Sequence, residues 1–357
     1  MNWWQQPAAA PCEISRQQAQ EHQAQLTKPP GSLGRLEDIA LQFAAWQGRA
    51  NPQVGRVKIR VFAADHGVCA ESVSAYPQEV TAQMIHNFAT GGAAIAVLAR
   101  ACNADFAVVN LGTVSNVPAH GRIVDASLAA GTANMCVVPA MTMEQAAAAL
   151  EVGARQVDRN YDLFIGGEMG IGNTTAAAAM TAALLDLSAQ QTVGRGTGID
   201  DAGLARKRAV VARAIGVHSE HQGDALQVLR RLGGFERAGL CGAYIAAAQC
   251  GVPVLVDGYI SSVAALAACR LNASVQAWLL FAHRSVEPGH SAILQALSVQ
   301  PLMDLGMRLG EASGAAVALP LIHAACALHN KMATFSSAGV SGVEAGGAGD
   351  NGGVSHD

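Results

Sequence analysis

Charge is scarce in this chain. Only 14% of its 357 residues are Asp, Glu, Lys or Arg, against about 25% in an ordinary soluble domain. A chain so poor in charge is expected to bury part of its surface against another subunit. The net charge of −4 leaves no basic footprint, so nucleic acid is not an expected partner. No two of the eight cysteines form a C-x-x-C pair, which argues against a zinc site or a thioredoxin-like motif. They read as reduced apolar fillers of a cytoplasmic protein. Long apolar runs are missing too. Runs such as Gly251 to Val256 and Val263 to Cys269 are too short to span a bilayer. Residues 1–11 lack a basic n-region and an apolar h-region, so no signal peptide is expected. Hydrophobic residues nevertheless reach 51%, enough for a sizeable core.

What is present is glycine, in places where strands end. Leu163-Phe164-Ile165 reads as a short buried strand, and Ala176 to Leu185 as a helix. Between them lies Gly166-Gly167-Glu168-Met169-Gly170-Ile171-Gly172-Asn173-Thr174-Thr175. A strand, a glycine-rich turn and a helix N-terminus make an anion site, because backbone N–H groups and the helix dipole point at the ligand. Gly167 and Gly172 have P-loop spacing, but Asn173 stands where the lysine of that motif belongs. The glycine order is also wrong for a dinucleotide fingerprint. The economical reading is a monophosphate held by Gly170, Gly172 and the hydroxyl of Thr174 or Thr175. The alternative is a tight turn that uses glycine for backbone shape alone.

Elsewhere, short apolar strands alternate with helices. Strands are expected at Val57 to Phe62, Ala107 to Leu111, Pro253 to Val256 and Ala277 to Phe281, and Asn116 to Pro139 as irregular chain. This pattern argues for an α/β fold with a doubly wound, mostly parallel sheet. Ligands of such sheets bind beyond the carboxyl ends of the strands. Asp65-His66-Gly67, the glycine turn, Asp257-Gly258 and His283-Arg284-Ser285 all follow strands and should crowd one cleft. Helices at the N-terminal end, one with Ser32 as its cap, precede any strand and suggest a separate small lobe. From Gly339 on the chain is rich in Gly, with Ser and Asp, and is expected to be disordered.

Three further features invite two readings each. Lys207 is the only lysine between Lys58 and Lys331 and follows the second glycine loop, which contains Gly196. It is either a phosphate ligand or a solvated helix residue. Asp65-His66 is an acid–base or metal pair, or a structural pair orienting a loop. Glu311, in Leu309-Gly310-Glu311-Ala312-Ser313-Gly314, is either a charge at a helix N-terminus or a general base whose pKa is raised by apolar neighbours.

These stretches, together with Lys28-Pro29-Pro30-Gly31-Ser32-Leu33-Gly34-Arg35-Leu36-Glu37 and Ala64-Asp65-His66-Gly67-Val68, occur in one order. In that combination the chain closely resembles the nicotinate-nucleotide–dimethylbenzimidazole phosphoribosyltransferase family, from about residue 28 to residue 332. The resemblance implies a Rossmann-like sheet with a small helical lobe built from both chain ends (1–52 and 305–336) and a large domain at 53–304; the tail expected at 337–357 lies outside it. It implies a homodimer that takes nicotinate mononucleotide and 5,6-dimethylbenzimidazole, with no metal and no cofactor. It assigns Glu311 as general base, Glu168 as a second carboxylate of the active site, and Lys207 with the glycine turn as the phosphate end. Asn173, Gly196, Gly310, Ser313, Gly314, Asp257 and Ser285 are then expected to touch substrate. So are Tyr76 and Met84, where the family often carries Ser and Gln near the acceptor base. These two leave less hydrogen bonding and more apolar or phenolic surface, so other benzimidazoles or purines are alternative acceptors. Ala312 replaces a glycine common after the catalytic Glu, read here as a small change.

Overall fold

The computed structural model describes residues 2–341 except Thr197. Its centre is a six-stranded sheet: β1 (Val57–Ala64), β2 (Asp105–Gly112), β3 (Ile123–Asp125), β4 (Leu163–Met169), β5 (Val254–Val256) and β6 (Leu279–Phe281). The order is β3-β2-β1-β4-β5-β6 and every pairing is parallel. β1, β4, β5 and β6 are buried almost throughout, as expected of a parallel sheet covered on both faces by helices. The chain runs outward from β1 in one direction and then from β4 in the other. The crevice between the carboxyl ends of β1 and β4 is thus the topological switch point, where such sheets bind ligands.

Several sequence expectations need correction. The irregular stretch 116–139 contains β3, a three-residue edge strand. β4 does not stop at Ile165 but runs to Met169, so Glu168 is a strand residue paired opposite Phe62 of β1. The following helix begins at Asn173, not Ala176, which makes Asn173, Thr174 and Thr175 its first turn. The turn proper is therefore only Gly170-Ile171-Gly172. Ser32 caps no helix; the helix Arg35–Gln47 starts after Gly34, whose φ of 54° suits glycine.

The helices Glu13–Gln25 and Arg35–Gln47 pack on each other through Ala19, Leu41 and Ala44, and the second also packs on Ser313–Lys331. Elements from both chain ends thus meet on one side of the sheet. Thr334 caps a short helix, Phe335–Ala338, accepting from the Ser337 N–H at 3.1 Å. That helix overlaps the start of the expected tail; residues 342–357 lie outside the described residues. No helix among the described residues is long and apolar enough to cross a membrane.

Candidate active site

The cleft beyond β1, β4, β5 and β6 holds a cavity of about 710 Å³. Its walls carry Glu168, Gly170, Gly172, Asn173, Thr174, Gly196, Lys207, Asp257, Ser285, Gly310 and Glu311, together with Tyr76 and Met84. Thus most of the residues singled out in the sequence share one space. Three do not line it. Thr175 is fully buried behind the turn. The Ser313 hydroxyl donates to the Gly310 carbonyl at 2.7 Å, bracing the loop from within. Gly314 packs against the His283 ring, so closely that a Cβ would lie 2.0 Å from Cδ2.

Lys207 is not a solvated surface lysine. It is 1% exposed, and its ammonium donates to Thr174 Oγ1 at 2.8 Å. Burial pulls its pKa from 10.5 down to about 8. The second glycine loop closes over this contact. A Cβ at Gly196 would stand 2.9 Å from Thr174 Oγ1 and 3.1 Å from Lys207 Nζ. The N-terminus of the Asn173–Leu185 helix, a hydroxyl and a buried ammonium therefore converge, as an anion requires.

Glu168 and Glu311 both line the cavity, on a strand and a loop that pack closely against each other. A Cβ at Gly167 would lie 2.6 Å from the Glu311 carbonyl, and one at Gly310 2.5 Å from Glu168 Oε1. These two glycines permit close approach of strand and loop. Asn173 Nδ2 donates to Glu168 Oε2. Burial first, then Asp257 and Glu236, push the Glu168 carboxyl well above the ordinary range, with Arg237 opposing. Burial, with Asp257 next, lifts Glu311 from 4.5 to about 7. Glu311 Oε2 is buried and has no hydrogen-bond partner among the described residues. A carboxylate with a vacant acceptor and a near-neutral pKa is suited to take a proton.

Asp257 acts on Glu311 through the backbone. Its Oδ2 accepts from the Ala312 N–H at 3.1 Å and its Oδ1 from Ala315 at 2.8 Å. It thus caps the Ser313–Lys331 helix from the end of β5. Glu311 and Ala312 both have positive φ, 65° and 74°. Ala312 is therefore more than a small change, since this backbone region costs a residue with a Cβ roughly 1–2 kcal/mol. Asp65 and His66 look away from the cavity: Asp65 Oδ2 accepts from the Val114 N–H at 2.9 Å and His66 pairs with Glu236. No group of three or more His, Cys, Asp or Glu among the described residues is arranged to hold a metal.

Sequence reasoning missed Arg195, Arg308 and Glu287, which also line the cavity. It also missed Glu236 and Arg237, although an adjacent charge pair opening an otherwise apolar helix was a readable signal.

A family model described as Phosphoribosyltransferase matches residues 9–340. A nicotinate-nucleotide–dimethylbenzimidazole phosphoribosyltransferase of Pseudomonas aeruginosa is 55% identical over 345 residues, 96% of this chain and 98% of that one. The chain belongs to this phosphoribosyltransferase family. The enzyme of the same name from Xanthomonas oryzae is 56% identical over 344 residues, 95% of this chain and 99% of its own length. Among solved structures, CobT from Thermus thermophilus superposes with a TM-score of 0.88 at 45% identity, covering 92% of this chain and 99% of its own. The family resemblance of the motifs and the α/β fold expected from the sequence are both borne out, and with them a phosphoribosyl-transferring enzyme.

Proposed function

We propose that the chain transfers the 5-phosphoribosyl group from nicotinate mononucleotide to 5,6-dimethylbenzimidazole, with inversion at C1′. The products are α-ribazole 5′-phosphate and nicotinate, which serve the lower nucleotide loop of cobalamin. The names of the relatives supply the substrates. The observation that carries the chemistry is the buried Glu311 carboxylate, with a vacant oxygen and a pKa near 7, in the same cavity as Lys207 and Thr174.

The donor phosphate sits against Thr174, Lys207 and the N–H groups of the first helical turn. One imidazole nitrogen of the acceptor attacks C1′ as the bond to the pyridinium nitrogen breaks, and the bonding pair leaves with the nicotinate ring, whose nitrogen becomes neutral. Attack opposite the leaving group turns a β-linkage into an α-linkage. The other ring nitrogen gives its proton to Glu311. Positive charge accumulates on the ribose; it favours the ionised form of Glu168 beside it, and that carboxylate in turn stabilises the charge electrostatically. Asp257 positions Glu311, and Ser285 lies on the same wall. Tyr76 and Met84 shape the acceptor end, where the apolar surface favours a methylated benzimidazole and leaves a purine with fewer hydrogen bonds. The enzyme works in the cytoplasm as a homodimer, with residues 1–52 and 305–336 as the small lobe against a large domain at 53–304.

Purified protein, nicotinate mononucleotide and dimethylbenzimidazole, mixed without added metal, should release nicotinate in step with the α-linked product by chromatography. Competition among benzimidazoles and adenine ranks the acceptors. No release, with or without added magnesium, would sink the proposal.

A further inference from the structure

Two charged pairs have no part in the chemistry above: Asp65-His66 at the end of β1, and Glu236-Arg237 in the helix Phe235–Cys250. Glu236 and Arg237 are 0% exposed and His66 is 1% exposed. They are joined end to end with the cavity. His66 Nε2 lies 3.0 Å from Glu236 Oε1, and Arg237 Nη2 lies 3.1 Å from the same oxygen. Arg237 Nη1 donates to the Asn173 carbonyl at 2.7 Å, and Asn173 Nδ2 donates to Glu168 Oε2. Gly234 makes the meeting possible, since a Cβ there would lie 2.3 Å from His66 Cε1 and 2.4 Å from Glu236 Oε2.

Stability does not account for this arrangement. A buried ion pair seldom outperforms apolar residues of the same volume, because desolvation offsets the attraction. Here the pairing is also incomplete. Arg237 Nε and Nη2 and Glu236 Oε2 are buried without a hydrogen-bond partner among the described residues. The one well-formed bond of the guanidinium goes to the residue that holds Glu168.

We infer that Arg237, itself held by Glu236 and His66, is a positioning residue for Glu168: it fixes Asn173, whose amide fixes the carboxylate, and its buried charge is the counter-ion of that carboxylate. The inference rests on the reading of Glu168 as an anion beside the ribose. The charged and titratable groups around Glu168 come from five elements. Asp257 follows β5, Glu311 lies on the loop before Ser313–Lys331, and Glu236 and Arg237 stand on the helix behind. His66, after β1, lies beyond Glu236, and His283, after β6, lies 3.8 Å from Asp257. Burial and three carboxylates all favour the protonated form of Glu168; of these neighbours, Arg237 alone favours the anion. Glu236 remains ionised despite its burial because His66 and Arg237 outweigh it, holding its carboxyl below the usual range.

The test is a carbon-13 titration of enzyme labelled at the glutamate carboxyls. The Glu168 and Glu311 resonances are assigned by their loss in Glu168→Gln and Glu311→Gln. Glu236→Gln keeps the shape and removes an anion, so the Glu168 midpoint should fall. Arg237→Met removes the cation, so it should rise. Each shift should be about one unit or more, as for a charge removed at this range, while the Glu311 midpoint stays. kcat should change and the KM of both substrates should hold within about twofold, as for an interaction made in the transition state. Loosened packing would move both variants the same way. Shifts of one sign, or none, overturn the inference; if Arg237→Met does not fold, the direction in Glu236→Gln decides alone. Near-normal turnover of Glu168→Gln would instead remove the underlying role of Glu168, and with it this inference. Lost turnover with an unmoved titration would remove the positioning role only.

Discussion

Lys207 and Glu311 owe their proposed roles to the same cause, removal from water, acting on charges of opposite sign. Burial lowers the Lys207 pKa to about 8 and raises that of Glu311 to about 7. A phosphate placed on Lys207 favours the ammonium and so raises its pKa again. Donor binding above pH 8 should therefore take up about half to one proton. Calorimetry in two buffers of different ionisation heat measures this directly, and Lys207→Met should abolish it. The same variant should weaken the donor by roughly tenfold to a hundredfold, the value of a hydrogen bond to a charged group. Unchanged affinity would return Lys207 to a structural role. The importance of this lysine was only half legible in the sequence. Its isolation among 357 residues was visible, but its burial depends on Gly196 and Thr174 closing over it, which only the tertiary structure brings about.

At the scale of elements, the catalytic loop is held by a carboxylate at the end of β5. Asp257→Asn should cost about 1–2 kcal/mol of stability through the lost helix cap. It should also move the acid limb of kcat/KM to lower pH, because Asp257 is one of the groups that raise Glu311. Urea denaturation and a pH–rate profile check the two effects, and a variant of full stability with an unmoved limb would refute the coupling. The order of elements was readable because parallel strands buried on both faces are apolar runs between helical patterns. β3 was not, because a three-residue edge strand that is half exposed carries no such run. The length of β4 was misjudged for another reason. Gly166 and Gly167 look like a turn, yet they make room for Leu240 and for the Glu311 backbone inside a strand. Local sequence does not distinguish glycine used for backbone freedom from glycine used for close approach. The Asp65-His66 pair kept two readings in the sequence for want of its partner, since Glu236 lies 170 residues from His66; its contacts fit the structural one.

For the molecule as a whole, the site is expected to work against stability. Glu311 has an ordinary pKa near 4.5 when unfolded and about 7 when folded. Between these values the folded state binds more protons, so its stability falls as pH rises through that window. Above pH 7 the cost is complete, on the order of 1–3 kcal/mol. Glu311→Gln removes it. The variant should match the wild type at pH 4 and exceed it at pH 8 in urea denaturation without ligand; equal stability at both would mean that the carboxylate is not strained by burial. The sheet order places the crevice, and the crevice gathers residues from both halves of the chain. The sequence could suggest this gathering through its strand-end motifs, but not which of them face the cavity. Thr175 lies one residue past Thr174, and Ser313 and Gly314 lie just past Glu311, so all three sit behind the wall that their neighbours line.

The most direct trial of Glu311 as the proton acceptor compares steady-state transfer by wild type and Glu311→Gln, with nicotinate and α-linked product quantified together across pH 5.5 to 8.5. Wild-type kcat/KM should rise with pH through a midpoint of about 7, where the Glu311 carboxylate is ionised, and turn down above about 8 as Lys207 loses its proton. Glu311→Gln should lose about 10²–10⁴-fold in kcat, the usual contribution of a general base, lose the rising limb, and keep its donor affinity. A variant that retains near-normal turnover with the same pH dependence would place the proton elsewhere.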